Sequence, residues 1–184
     1  MANECDWHFQ IYKATNEAKA VFEKMVSRLD SEDRLVSILD EEVWQKMGIP
    51  KWNFVQEHNT EDGWLQGISA WSPPLEIFAE ITRKMSEVDP TACAVVTFAD
   101  GTNFVGTASY LAGEQIRLLE FDEEDIIVYT IGQLQEEYGR EPTEEEVDDM
   151  KWDYADSLVD TAIVEEQLEE LCALVEKRKK QICD

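Results

Sequence analysis

Histidine is the side chain that most readily moves protons near neutral pH, and this chain has only two, His8 and His58. His8 falls in a stretch of alternating apolar residues, and His58 falls in a polar stretch. Neither lies at a useful spacing from a cysteine or a serine elbow, so a nucleophilic triad has no support. The glycine patterns that cradle phosphates are also missing from the sequence. The residues therefore predict a protein that is not an enzyme and that binds no nucleotide cofactor.

Four cysteines and a run of four acids are the remaining candidates for metal chemistry. Cys5, Cys93, Cys172 and Cys183 are far apart and form no C-x-x-C pair, which argues against a zinc site and against a disulfide framework. Residues 122–125 are Asp-Glu-Glu-Asp, without the alternating spacing of a calcium loop. We expect these acids to form a solvated turn, and we expect no metal or other cofactor.

Acidic residues dominate the charge of the chain. The 184 residues include 41 Asp and Glu against 16 Lys and Arg, for a formal net charge of −25. Residues 120–184 hold 22 of the acids and 6 of the bases, which is about two-thirds of the net charge. Such a field repels nucleic acid and anionic lipid, and it attracts basic proteins. We expect a basic protein or nucleoprotein complex as partner, without direct binding to nucleic acid or membrane. The alternative is that the acids only solvate the surface.

A long helix is predicted from residue 143 onward. Thr143 and Glu146 match a capping box, in which each side chain satisfies a backbone N–H of the other residue. Apolar residues follow at helical spacing as far as Val175, with a break near residues 157–161 as an alternative. Carboxylates recur every three to five residues, so several of them share one helix face. The predicted partner-binding residues are Glu144, Glu145, Asp148, Asp149, Trp152, Asp153, Asp156 and Asp160.

Trp152 has two interpretations of equal weight. A large aromatic residue among acids can anchor a partner protein. It can equally dock the helix on the rest of the protein through its large apolar surface.

Two strand–helix units in the first 121 residues are expected to carry this acidic region. Residues 5–14 alternate between apolar and polar and predict a strand, which an amphipathic helix follows as far as Leu29. Residues 64–71 predict a second strand, after which Ser72 is expected to cap a helix that ends before Pro90. Further strands are predicted at residues 92–99, 104–110 and 114–121.

This order of elements is typical of an α+β fold, specifically a ferredoxin-like sandwich with a split βαβ connection. We predict such a domain for residues 1–121, with an acidic helical region at residues 122–184 packed on it or extending from it. Residues 33–47 show helical spacing and predict an additional helix that Gly48 ends, and residues 56–62 predict a polar loop. The predicted core residues are Trp7, Phe9, Phe22, Met25, Trp64, Ile68, Phe78, Ile81, Val96 and Phe98.

Residues 5–120 resemble the Api-like family, a ferredoxin-like domain of unknown function found in plasmids and phages. The segments that carry the resemblance are Gly-Ile-Pro-Lys-Trp-Asn at 48–53, Ala-Trp-Ser-Pro-Pro at 70–74 and Phe-Val-Gly at 104–106. The chain departs from the family pattern by one extra residue between Gly48 and Lys51, and by Asn53 in place of an acid. The resemblance implies a ferredoxin-like fold and a mobile-element origin, and it implies no catalytic residues.

Two functions follow as hypotheses. In the first, a phage or plasmid protein inhibits a host nucleic-acid-binding defence complex, such as a CRISPR effector or a restriction enzyme, by presenting carboxylates where that complex holds phosphates. In the second, the chain is an acidic adaptor without mimicry, with homodimerisation through its C-terminal helix as one form. An unrecognised enzyme is a third and weaker hypothesis. We expect a location in the bacterial cytoplasm, because there is no signal-peptide pattern and no apolar run near ~18 residues. Carboxylates clustered on one exposed face would favour mimicry.

Overall fold

The computed structural model describes residues 3–47, 52–101, 103–160 and 162–183, without the side chains at 156, 160, 162–164 and 183. Within these ranges the β-strands are β1 (Glu4–Lys13), β2 (Asn53–Asn59), β3 (Trp64–Ala70), β4 (Cys93–Asp100), β5 (Phe104–Leu111) and β6 (Glu114–Asp122). The same ranges contain the α-helices α1 (Asn16–Val26), α2 (Glu41–Trp44), α3 (Leu75–Ser86), α4 (Glu123–Tyr138), α5 (Glu144–Asp160) and α6 (Ala162–Cys183).

The described strands form one antiparallel sheet with the order β2-β3-β1-β4-β5-β6. Strand β1 lies inside the sheet, so that Phe9 faces Leu65 of β3 on one side and Val96 of β4 on the other. Helices separate several of these strands along the chain, and each pair of neighbouring strands runs antiparallel. The predicted α+β class is therefore confirmed.

Helices α1 and α3 cover one face of the sheet and enclose the largest hydrophobic core. Phe9 stacks on Phe22 of α1 and on Phe78 of α3, with ring centroids 6.0 and 5.4 Å apart. Trp7 meets Phe78 edge-on at 5.2 Å. Most of the predicted core residues are buried, namely Trp7, Phe9, Phe22, Met25, Phe78, Ile81, Val96 and Phe98.

The prediction that Trp64 and Ile68 are core residues is wrong, because both are only half-buried. Strand β3 turns its other side towards the core, where Leu65 is fully buried. Gly67 lies on this side, where a Cβ would meet the carbonyl oxygen of Phe54 first and would lie 2.7 Å from Cζ2 of Trp7. The indole of Trp7 thus occupies the space above Gly67. Side chains alternate between the two faces along a strand, so Leu65 and Gly67 face the core, whereas Trp64 and Ile68 face away from it.

The helix predicted for residues 33–47 is also wrong. The chain forms a short 3-10 segment at Leu35–Ile38 and then the four-residue helix α2. Asp33 has a φ of 54°, and its carbonyl oxygen accepts a hydrogen bond from the N–H of Val55 at 2.8 Å. This contact holds the start of the segment against β2, and the extended backbone of Leu39 and Asp40 separates the 3-10 segment from α2. Tertiary pairing thus overrides local helical spacing here. Strand β2 also continues to Asn59, into the predicted polar loop.

The turn between β3 and α3 differs from the predicted serine cap. Helix α3 begins at Leu75, directly after Pro74, and no side chain caps its first turn. The hydroxyl of Ser69 instead donates to the carbonyl oxygen of Ser72 at 2.7 Å. Trp71 has a φ of 70°, which is unusual for a bulky residue, and it is 60% exposed.

Helices α5 and α6 cover the other face of the sheet over β4 and β5. Val159 of α5 packs in a small cluster with Val105 of β5. Leu171 of α6 packs in a second cluster with Leu111, at the other end of the same strand. The described part of the chain therefore has helices on both faces of its sheet. Described residues of α5 and α6 therefore pack on the sheet.

Two predictions fall outside the described residues. One is the end of a helix at Gly48. The other is the part of the predicted break that falls on Thr161, whereas residues 157–160 belong to α5. The bounds of α5 and α6 lie on either side of that position.

Candidate functional site

Helix α5 contains the predicted partner-binding residues and packs against α4, and we name the two helices together the acidic hairpin. Asp122 caps α4 by accepting from two N–H groups of its first turn, and Gly139 ends the helix with a φ of 64° that suits glycine. The predicted capping box begins α5: the N–H of Glu146 donates to Thr143 Oγ1 at 3.3 Å, and the N–H of Thr143 donates to Glu146 Oε2 at 2.8 Å. The guanidinium of Arg140 also donates to Glu146. The hydrogen bonds from Arg140 have the largest effect and that from the N–H of Thr143 the next largest, and they lower the pKa of Glu146 to about 2.

Three of the predicted carboxylates form one exposed stripe along α5. Glu145, Asp149 and Asp153 are four residues apart and all exposed, so they follow one side of the helix. We name them the carboxylate stripe. No salt bridge or side-chain hydrogen bond joins them to another described residue. Asp148 differs, because Lys151 donates to it at 2.6 Å and forms a salt bridge with it.

The remaining predicted residues have different surroundings. Glu144 is exposed and borders a cleft between α4 and α5. Trp152 is half-buried and packs against the cluster that includes Val105, as the docking interpretation predicts. Asp156 and Asp160 lie in α5 by their backbone, and their side chains are outside the described residues.

The cleft between α4 and α5 has a volume of about 230 Å³, and we name it the hairpin cleft. Apolar residues and charged residues line it in equal number. They are Ile127, Ile131, Pro142 and Val147, and Glu141, Glu144, Asp148 and Lys151. Sequence reasoning missed this cleft, although the spacing of Ile127 and Ile131 by four residues was a signal for one apolar side of α4.

A groove of about 370 Å³ lies on the second face of the sheet, beside Val159 of α5. Polar side chains contribute to its lining, including Asp6 and His8 of β1 and Gln66 of β3. The ring of His8 lies 5.8 Å from that of Trp64, and burial lowers the pKa of His8. The imidazole of His8 is a packed side chain, and no nucleophile among the described residues is hydrogen-bonded to it.

His58 and the possible metal ligands also lack the neighbours that catalysis or metal binding would need in the described part of the chain. His58 is exposed on β2, and no cysteine or serine of the described ranges is hydrogen-bonded to its ring. Among the residues that the structure describes, no cluster of three or more His, Cys, Asp or Glu side chains could hold a metal ion. Within the same residues, no helix has both the length and the apolar character needed to cross a bilayer.

A cysteine environment also escaped the sequence analysis. Cys172 Sγ on α6 lies 3.5 Å from the hydroxyl oxygen of Tyr12 and accepts a hydrogen bond from Lys13 Nζ at 3.4 Å. The hydrogen bond with Tyr12 has the larger effect and that from Lys13 the smaller, and together they lower the pKa of the Cys172 thiol. Lys13 and Cys172 are 159 positions apart in the chain, so no local pattern could have brought them together.

Comparison of the chain with protein-family models, with curated proteins and with solved structures gave no match in any of the three. The functional argument therefore depends on the residues and their geometry.

Proposed function

We propose that this protein is a phage or plasmid inhibitor that binds a basic surface of a host defence nucleoprotein through its acidic hairpin, where that surface otherwise holds nucleic acid. The carboxylate stripe is the observation that carries the proposal. Glu145, Asp149 and Asp153 are exposed on one side of α5, and no described basic residue neutralises them. A clustered stripe favours mimicry over the adaptor hypothesis, which expects an even spread of charge.

The arrangement has a cost that folding alone does not require. Residues four apart on a helix have Cβ atoms ~5–6 Å apart, and like charges at this spacing destabilise the helix by roughly 0.2–0.5 kcal/mol per pair. The sheet needs only the other side of α5, where Ala155 and Val159 are buried. Neutral side chains along the stripe would serve that packing equally well. The charge is therefore better explained by attraction of a basic partner.

The mobile-element context rests on the resemblance of residues 5–120 to the Api-like family. The family resemblance also implies a ferredoxin-like fold. We infer that β1 to β4 with α1 and α3 form a ferredoxin-like unit, which β5 and β6 extend. Its support is the neighbour order β2-β3-β1-β4 with antiparallel pairs. An experimental structure with another order of these strands would exclude this inference.

The test begins with a pull-down from bacterial host lysate, read by mass spectrometry, and continues with the purified partner. Reversal of the carboxylate stripe to lysine at Glu145, Asp149 and Asp153 should weaken binding ~10-fold or more, mainly through slower association. A matched control with the same change of charge is reversal of the exposed acids Glu23, Glu42 and Glu61, which lie outside the hairpin.

Three further results are expected. The control triple variant should bind within about 3-fold of wild type, since distant exposed charges are screened at physiological salt. Nucleic acid should compete with the protein for its partner, and the protein alone should give no gel shift with duplex DNA. Equal binding by wild type and stripe variant, without competition by nucleic acid, would leave the adaptor hypothesis in place of this one.

A further inference from the structure

The hairpin cleft differs from the rest of the acidic hairpin because it offers apolar surface. Ile127 and Ile131 are one helical turn apart on α4 and are half-buried, and Val147 of α5 is buried between the helices. A surface that served only to repel other molecules or to stay hydrated would not need apolar side chains at its centre.

The rim of the hairpin cleft is acidic in net terms. Lys151 is its one basic lining residue, and its ammonium group is occupied by Asp148 at 2.6 Å and by Glu123 at 2.7 Å. Glu141 and Glu144 are exposed, and no described basic side chain forms a salt bridge with either. An occupant of the cleft therefore meets apolar surface at the base and uncompensated carboxylates at the edge.

The size of the hairpin cleft narrows the class of occupant. Its volume of about 230 Å³ is below the ~300–1,000 Å³ of typical small-molecule sites. It suits one or two large apolar side chains of a protein segment, as when a helix places its apolar residues in a groove between helices. Nucleic acid is a poor occupant, because its phosphates would face Glu141 and Glu144.

We propose that the hairpin cleft receives a basic amphipathic segment of the partner protein, which inserts a large apolar side chain between α4 and α5 and pairs lysine or arginine with the rim. This inference rests on the proposed function, since it assigns the partner surface to the same acidic hairpin. It adds that recognition is not by charge alone. The apolar contact would set the lifetime of the complex, and the carboxylate stripe would set the rate of encounter.

The experiment uses two labelled synthetic peptides of equal length and charge. One is a helical peptide of leucine and lysine with its leucines on one face, and the other has serine in place of every leucine. Binding to the full chain is measured by fluorescence anisotropy at ~0.15 M salt, where distant charges are largely screened. Wild type should bind the leucine peptide at least ~10-fold more tightly than the serine peptide, as expected for a buried apolar anchor.

The variant Ile131→Ser should reduce this preference to below ~3-fold, because it removes apolar surface from the cleft. Val88→Ser is the matched control: Val88 is 52% exposed and lies outside the hairpin, so the preference should remain. A second measurement needs no variant. Methyl NMR signals of Ile127 and Ile131 should shift on addition of the leucine peptide and stay in place with the serine peptide.

Equal binding of the two peptides, or binding of neither, would overturn the cleft as a docking site. A leucine preference that persists in Ile131→Ser without methyl shifts at the cleft would also overturn it. These outcomes leave the proposed function open to its own test, because stripe reversal and nucleic acid competition are measured with the partner itself. If stripe reversal and nucleic acid had no effect on partner binding but the peptide result were positive, the cleft would remain a docking site and the mimicry hypothesis would be rejected.

Discussion

The two faces of the sheet are packed in different ways. On the face covered by α1 and α3, one continuous apolar core joins the stacked rings of Phe9, Phe22 and Phe78. On the face covered by α5 and α6, the apolar contacts among the described side chains divide into two small clusters. Between these clusters Thr107 Oγ1 donates to Gln167 Oε1 at 3.1 Å, and both residues are fully buried. The first face is held by one large core and the second by separate contacts.

The difference teaches which part of the molecule sets the fold and which part presents the charge. A region with few buried apolar contacts opens at lower free energy than the main core. We therefore expect α6 to open locally without unfolding β1. The acidic hairpin depends on such limited contacts, including that of Val159, to stay on the sheet. The following predictions test this contrast, from the largest expected effect to the smallest.

The largest effect is expected in the continuous core. Phe78→Ala removes a fully buried ring that contacts both Trp7 and Phe9, and it should lower the free energy of unfolding by about 3–5 kcal/mol. Chemical denaturation followed by tryptophan fluorescence measures this loss. A loss below ~1 kcal/mol would show that α3 does not contribute to a cooperative core.

A smaller and more local effect is expected on the second face. Leu171→Ala removes a fully buried side chain from the cluster with Leu111, and it should cost about 2–3 kcal/mol, the lower part of the range for such changes. Hydrogen exchange should show faster exchange in α6 with little change in β1. If β1 and α6 accelerated equally, the two faces would form a single cooperative unit and the contrast would be lost.

The polar pair between the clusters provides a third test. Thr107→Val leaves the buried amide of Gln167, whose Nε2 already has no partner among the described residues, without its donor and should cost roughly 1–3 kcal/mol. The double variant with Gln167→Leu as well removes both polar groups, and it should recover to within ~0.5 kcal/mol of wild type or exceed it. A double-mutant cycle by denaturation measures the coupling. Additive losses in the two single variants would mean that the pair does not act as a unit.

The smallest effect concerns the exposed cap of α5. The pKa of Glu146 is about 2 in the folded protein against its usual 4.5, so its hydrogen bonds stabilise the fold above pH 4.5. That stability is lost as the pH falls through about 2. Glu146→Gln should therefore lower Tm at pH 7, and the difference from wild type should shrink between pH 4.5 and pH 2. A difference that did not change over this interval would mean that the carboxylate charge contributes nothing.

Local patterns predicted the parts of the fold that local interactions decide. The capping box at Thr143 is in the predicted place, because a cap involves only the neighbouring turn. The side of β3 that faces the core could not be predicted, because apolar residues occur at both parities and the decision lies with Trp7 above Gly67. In the same way, the path after Asp33 is decided by pairing with a strand formed later in the chain.

In the candidate site, too, some features are set by local sequence and others by tertiary contacts. The carboxylate stripe follows from helical spacing alone, so it could be predicted from the sequence. The hairpin cleft needs α4 and α5 side by side, and the environment of Cys172 needs Lys13 from the other end of the chain. Neither arrangement is encoded in a short window of sequence. Side chains brought together only by tertiary packing require the structure.

The inner position of β1 has a consequence for how the protein is made. Phe9 pairs with Val96, so on a ribosome that adds ~5–20 residues per second its neighbour emerges roughly 5–20 s later. During this delay the apolar side of β1 lacks its neighbours, and pairing across such a separation in sequence is slow. We expect nascent chains stalled at residue 90 to be cleaved within β1 by a protease. Chains stalled well beyond residue 122, with the whole sheet outside the ribosome, should resist cleavage there.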